Sequence, residues 1–381
     1  FCTTDIDGYI STTGGSSTSN GVTANTAQHA IHKIDAFASN KSNLIQFRVE
    51  GTEEFSTTAD GTVTEQSITA FSLAKNAFNA VTQIENGFET FNAFDFVLSS
   101  TNSKLLTGFD STINRKIRSN DYHTLAFLNG KWGNSGSQQS LPDKFVVKFY
   151  NDANVQQGST IDYDIDSTAS NGALFGSILQ HTVANPTISQ AGLVYFGCGL
   201  KNITNNGASI PATATYYTVN AENSSNTISA IYRFDIVGDD CKNFETIRLA
   251  YLNRLGTYDY YNFSKRSTRT TAVQKNTFKK AYGNFQNAKY SYNVYQGGTN
   301  NYGVTANETI EANTDFISEE EASALEELFT SPSVFMQNKN GDYEPVVITE
   351  SEYTKQTTAN DRIIQYTIGL HKSHNKRIQR N

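Results

Sequence analysis

At 381 residues the chain is long enough for about two or three cores of ordinary domain size, and its 18% charged and 12% aromatic residues exclude a disordered polymer. Its formal charge of −7 argues against nucleic acid as the main partner, since phosphate binding needs a basic stripe. No run of about 18 apolar residues offers a membrane-spanning helix, so no membrane partner is expected, and no basic-then-apolar start marks a signal peptide. Thr, Ser, Asn, Gly and aromatics dominate over Leu, Lys, Glu and Met, a balance that favours strands and loops. The expected fold is mainly β: an antiparallel sandwich or jelly-roll-like region, then a second β-rich region with one or two short helices.

Residues 1–26, rich in Ser, Thr and Gly, read as a flexible arm, and the start at Phe1 rather than Met fits processing or truncation. Asp5 and Asp7 before Gly8 resemble the start of a calcium loop, but the acceptors that should follow are missing. A sandwich-like region is expected over 27–240. Alternation through Ala30–Arg48 predicts one or two strands, on which His29 and His32 point to opposite faces and make no metal pair. Over 65–86, Ala70, Leu73, Ala77, Val81 and Ile84 recur every three or four residues and predict a helix capped at Asn86-Gly87. Phe94, Phe96 and Leu98 alternate and predict a strand. Arg115, Lys116 and Arg118 sit in a polar connection and read as solvated surface.

From Tyr122 onward, HTLAFLNG, DKFVVKFYN, TIDYDID, GLVYFGCGL, ATYYTVNA and AIYRFDIVG predict strands, separated by turns at Asn129-Gly130, Asn151-Asp152, Asn206-Gly207 and Gly238-Asp239. Asp162, Asp164 and Asp166 share one face of a strand, where a polar outer surface is a simpler account than a cation site. Trp132, the only tryptophan, lies in a loop rich in Gly, Ser and Asn, either as a contact for sugar or a partner or as a plug over the sandwich end. Cys2, Cys198 and Cys241 allow one bridge and a free thiol, or three buried thiols.

The clearest hairpin is ETIRLAYLNRLGTYDYYNF, Glu245–Phe263, with alternating strands around a turn at Asn253–Thr257. It opens a β-rich assembly region expected over 241–381. Residues 260–307 contain Lys265, Arg266, Arg269, Lys275, Lys279, Lys280 and Lys289 and no acid, whereas 308–338 hold Glu308, Glu311, Asp315, Glu319, Glu320, Glu321, Glu326 and Glu327 and no Lys or Arg. Blocks of opposite sign are differently solvated faces or a surface that meets a copy of itself. The aromatics of AYGNFQNAKYSYNVYQ fit stacking on a single strand of nucleic acid or plain strand alternation. Ser318 with Glu321 forms a capping box and predicts a helix over 318–330 stopped by Pro332; the SVFMQ and YEPVVITE strands and a last strand carrying Ile364, Tyr366, Ile368 and Leu370 follow. His371 and His374 near the basic tail read as solvent-facing.

No nucleophile elbow, phosphate loop, Rossmann fingerprint, HExxH or zinc-spaced cysteine pair is present, so no enzymatic activity, metal or cofactor is expected, although carboxylates paired from distant strands remain open. The order HTLAFLNG, VVKFYN, VYFGCGLKNI, IYRFDIVG, IRLAYLNRLGTYDYYNF, LEELFTSPSVFM and YEPVVIT resembles virion structural proteins of tailed bacteriophages, especially tail-associated proteins from phages of marine and Bacteroidetes hosts. The resemblance covers about residues 120–381 and is most specific in RLAYLNRLGTYDYYNF with the helix and SPSVFM that follow. It implies an architectural subunit of a tail, neck or distal-tail ring or tube in an extracellular particle, with copies of itself and other virion proteins as partners and no catalytic residues to carry over. Residues 1–120 lie outside it, which leaves a receptor-binding or capsid-docking role open for them. The expected oligomer interface sets Glu319, Glu320, Glu321, Glu326 and Glu327 against Lys265, Arg266, Arg269, Lys279 and Lys280, or the tail, of a neighbour; internal pairing of the two blocks is the competing expectation. The alternative function is an extracellular carbohydrate-binding or adhesive β-protein meeting a host surface glycan through Trp132; a polysaccharide-degrading enzyme ranks third.

Overall fold

The computed structural model describes, with short interruptions, residues 93–128, 142–164, 193–238, 244–349 and 364–374, Thr354, and strands between 44 and 78. It is mainly antiparallel β, with sandwich-like packing and two short α-helices among the described residues. The chain divides into two compact units: Phe1–Gly238 with Asn253–Asp259, and Asp239–Leu252 with Tyr260–Asn381. The arm, Asp5, Asp7, His29, His32, Trp132, Asp166, Cys2 and Cys241 lie outside the described residues.

In the first unit, β1 (Leu44–Phe47), β2 (Glu50–Gly51) and β3 (Glu54–Phe55) pair in nested antiparallel fashion with β6 (Lys75–Phe78), β5 (Thr69–Ala70) and β4 (Thr64–Glu65). This corrects the helix expected over 65–86: where that span is described it is strand. The alanines that suggested a helical stripe suit either structure, and a complementary stretch at 44–55 decides the matter through pairing that local propensity does not register. A second correction concerns Phe94–Leu98. Ala93–Phe96 is a single 3-10 turn, and only Val97 makes a bridge, to Leu128. The Ser103 hydroxyl accepts from the amides of Ser99 and Ser100, a local alternative to a strand ladder.

Most of the remaining strands of this unit fall where alternation places them, but Arg115–Ile117, expected as part of a polar connection, is strand as well, held by pairing with Phe234–Ile236. β7 (Arg115–Ile117), β9 (Lys144–Tyr150), β10 (Gln156–Asp164), β12 (Tyr216–Asn223), β13 (Asn226–Thr227) and β14 (Tyr232–Ile236) form one sheet in the order β10-β9-β12-β14-β7, with β13 paired to β12. The β14–β7 pair is parallel. β8 (Thr124–Leu128) and β11 (Leu193–Gly197) pair as a second layer, followed by α1 (Leu200–Asn205). Phe145, Val147 and Phe149 of β9, Tyr217 and Val219 of β12 and Phe234 of β14 meet Leu125, Phe127, Val194 and Phe196 in one core. Phe145 stacks on Phe196 at 4.5 Å between centroids, and Tyr217 on Phe234 at 5.0 Å. Cys198 is buried in the same core.

The second unit is a sheet in the order β16-β15-β21-β22-β23-β20-β17, built from β15 (Ile247–Leu252), β16 (Tyr258–Phe263), β17 (Thr268–Lys280), β20 (Gly298–Asn313), β21 (Val334–Gln337), β22 (Tyr343–Ile348) and β23 (Thr367–Lys372). β18 (Asn284–Gln286) and β19 (Lys289–Ser291) form a separate small hairpin. α2 (Glu319–Thr330) begins at the expected capping box, with the Ser318 hydroxyl accepting from the Glu321 amide at 3.2 Å. Its Ala322, Leu325 and Leu328 are buried, the Phe329 ring meets Tyr366 edge-on at 6.1 Å, and the Tyr251 hydroxyl donates to the Ala324 carbonyl. Ile364, Tyr366, Ile368 and Leu370 are buried, as their shared face requires.

Candidate interaction surface

The element that stands out is the pair β17 and β20. Their antiparallel register runs from Thr268↔Glu311 to Lys280↔Gly298. β23 pairs with Thr309–Asn313 only, so among the described residues the outer part of β20 has β17 as its one ladder partner. The result is a two-stranded ribbon continuing beyond the sheet. Every residue of β17 is exposed. Its sequence, TRTTAVQKNTFKK, explains both properties: Thr, Val and Phe favour extended backbone, while neither face is apolar enough to seek a core.

The ribbon displays large side chains to solvent. Asn276 faces Gly303 and Thr277 faces Asn301, which leaves Tyr302 as an extra residue in a bulge that re-aims its side chain. Tyr302 is 69% exposed and meets Phe278 edge-on at 6.3 Å. On the small hairpin Phe285 lies opposite Tyr290, with 5.2 Å between ring centroids. Gly283 adopts φ +74°, and a β-carbon there would stand 2.4 Å from Tyr290 Cζ, so only glycine lets the backbone approach that ring. Phe285 and Tyr295 are 72% and 80% exposed.

Charge is distributed unevenly along the ribbon. At its root Arg269 donates to both carboxylate oxygens of Glu245 at 2.8 Å and to Glu308 at 2.7 Å, and the Glu245 bonds hold its pKa above the usual value. Lys265 pairs with Asp315 at 3.1 Å. These contacts place part of the basic block against acids of its own unit. Lys275, Lys279, Lys280 and Lys289 farther along are exposed.

The acids of α2 also divide. Glu321 accepts a 3.0 Å hydrogen bond from the Tyr261 hydroxyl, whose pKa is pushed well up by burial and by that carboxylate. Glu327 is buried and Glu326 half-buried, whereas Glu319 and Glu320 are exposed behind Phe316, itself 60% exposed. Arg266 is exposed, and its carbonyl accepts from Asn313. Sequence reasoning set five acids in one interface; the helix turns two of them toward its own fold.

One buried cluster escaped the sequence reading. Asp259, 2% exposed, accepts from the Thr107 hydroxyl at 2.6 Å, the Gly108 amide at 2.7 Å and the Asn253 amide at 2.9 Å. Burial pushes its carboxyl above the usual range, against the pull of these hydrogen bonds and of the Arg115 charge. Arg115, expected as solvated surface, is buried: its guanidinium donates to the Phe109 carbonyl and lies over the rings of Tyr232, Phe234 and Phe109 at 5.0, 5.6 and 5.8 Å. Aromatic faces and one buried acid stand in for part of its hydration, while its Nε and Nη1 have no hydrogen-bond partner among the described residues. The two charged side chains are buried, Arg115 at 7% and Asp259 at 2% exposure, while Thr107 and Gly108 are half-buried. Asp162 is engaged with Lys144 at 2.6 Å, and no group of three His, Cys, Asp or Glu among the described residues could hold a metal ion. His371 is half-buried and His374 exposed. No described helix is long and apolar enough to cross a membrane.

No protein-family model matches the chain, and searches of curated proteins and of solved structures returned no match.

Proposed function

We propose that this chain is a non-enzymatic structural subunit of a virus particle, a bacteriophage tail, neck or distal-tail component that assembles into a ring or tube. The observation that carries this reading is the ribbon. Thirteen consecutive exposed residues of β17, with Phe278 and Tyr302 turned to solvent, give a long lever that a free-standing protein has no reason to retain. Docking on a neighbour would cover those rings and the open strand edge together. The pattern similarity to tail-associated proteins supports the same reading. The exposed rings of Phe285, Tyr295 and Tyr302 favour a second reading, an extracellular protein that stacks sugar rings of a host-surface glycan. Electron microscopy of the purified protein separates the two. Regular rings or tubes support assembly; monomers retained on a glycan surface overturn it in favour of the adhesin.

A further inference from the structure

We propose that the outer ribbon docks on a second copy of this chain at the head of α2, where Glu319, Glu320 and the exposed ring of Phe316 stand together. The inference rests on the assembly reading above and names its partner. Residues 260–307 carry seven basic residues and no acid, so the rest of the chain, with 23 basic against 37 acidic residues, has a formal charge of −14. A copy of the same chain therefore presents the field that the ribbon requires. The basic side chains themselves divide by position: Lys265 and Arg269, at the root, are paired within their own unit, whereas Lys275, Lys279 and Lys280 have no ion pair among the described residues.

Ribbon-to-ribbon contact about a two-fold axis is the alternative geometry for two copies. It would set Lys275, Lys279 and Lys280 of one ribbon beside the same residues of the other, and like charges across paired strands are destabilising. Unlike surfaces meeting head to tail avoid that conflict and repeat from copy to copy, closing into a ring when the rotation allows. Phe278, which shares a strand face with Lys280 and meets Tyr302, and the exposed ring of Phe316, three residues before Glu319, add an apolar contact to each partner. Charge steers the encounter; ring burial slows its reversal.

Two charge-reversed proteins test the contact: K275E/K279E/K280E, and E319K/E320K. Each is sized by light scattering alone, then in equimolar mixture, at low and high salt, with thermal unfolding as the check on folding. The wild type should assemble at low salt and loosen at high salt. Each variant alone should associate about tenfold more weakly or worse. The mixture should recover assembly, because an acidic ribbon then meets a basic helix head and a basic ribbon an acidic one. Wild-type-like assembly by both variants overturns this contact and leaves the assembly reading standing, whereas a wild type that stays monomeric at every concentration and salt overturns both. Loss in the ribbon variant without rescue, accompanied by wild-type binding to a single-stranded oligonucleotide, overturns the second copy in favour of nucleic acid.

Discussion

Asp259 shows how much a single residue conceals in its sequence. It sits among the tyrosines of a strand, yet three donors and a cationic neighbour converge on it. Those donors come from Thr107, Gly108 and Asn253, up to 152 positions away, so no local pattern announces them. Asp259→Ala should therefore cost about 3–5 kcal/mol, because Arg115 loses its buried counter-charge and the donors their acceptor; chemical denaturation measures it. Tyr163 makes a different prediction. Its ring fills the core against Phe196, its hydroxyl is buried without a hydrogen-bond partner among the described residues, and burial pushes its pKa up to about 12. Since the folded value lies above the unfolded value of 10.0, stability from this group is intact below pH 10 and is lost as pH rises toward 12. Tyr163→Phe should flatten that part of the alkaline decline and be neutral to stabilising by about 1–2 kcal/mol at pH 7. An unchanged alkaline slope would contradict the assignment.

At the scale of elements, legibility followed the presence of a buried face. The strands β9, β12 and β14, the hairpin around Gly256 at φ +79° and the capped helix α2 were readable because an apolar period or a capping residue marks each one, whereas β7 carries two basic residues in three and was read as a polar connection. The ribbon was not, since TRTTAVQKNTFKK has no apolar face and its partner lies beyond a small hairpin; only its lack of acids was visible. The strands at 64–78 failed for the opposite reason: evenly spaced alanines imitate a helix until the facing strand is known. Between β18 and β19, Ala288 holds φ +62°, a region in which an alanine side chain is strained. Ala288→Gly should relieve about 1 kcal/mol in that hairpin. Amide exchange at Phe285 and Tyr290 should slow in the variant, and faster exchange would contradict the strain.

For the whole molecule, the sequence announced a charge partition and a β-rich architecture but not which basic residues are held internally. Lys265 and Arg269 could be sorted from Lys279 and Lys280 only when the ribbon's root and outer end became distinguishable. Exposed ion pairs contribute about 0–1 kcal/mol each, so an assembly held by charge alone would be weak, and the ribbon's rings must supply the rest. This makes the ribbon as a unit the direct object of test. Replacing residues 273–306 by an Asn-Gly turn joins Ala272 to Asn307, already opposite each other, and keeps Thr268–Ala272 paired with the sheet. Sedimentation of the intact and shortened proteins over a range of concentrations is the deciding measurement. The wild type should assemble, and the shortened protein should remain monomeric while unfolding at nearly the same temperature; a shortened protein that assembles as well as the wild type would rule out assembly through the ribbon.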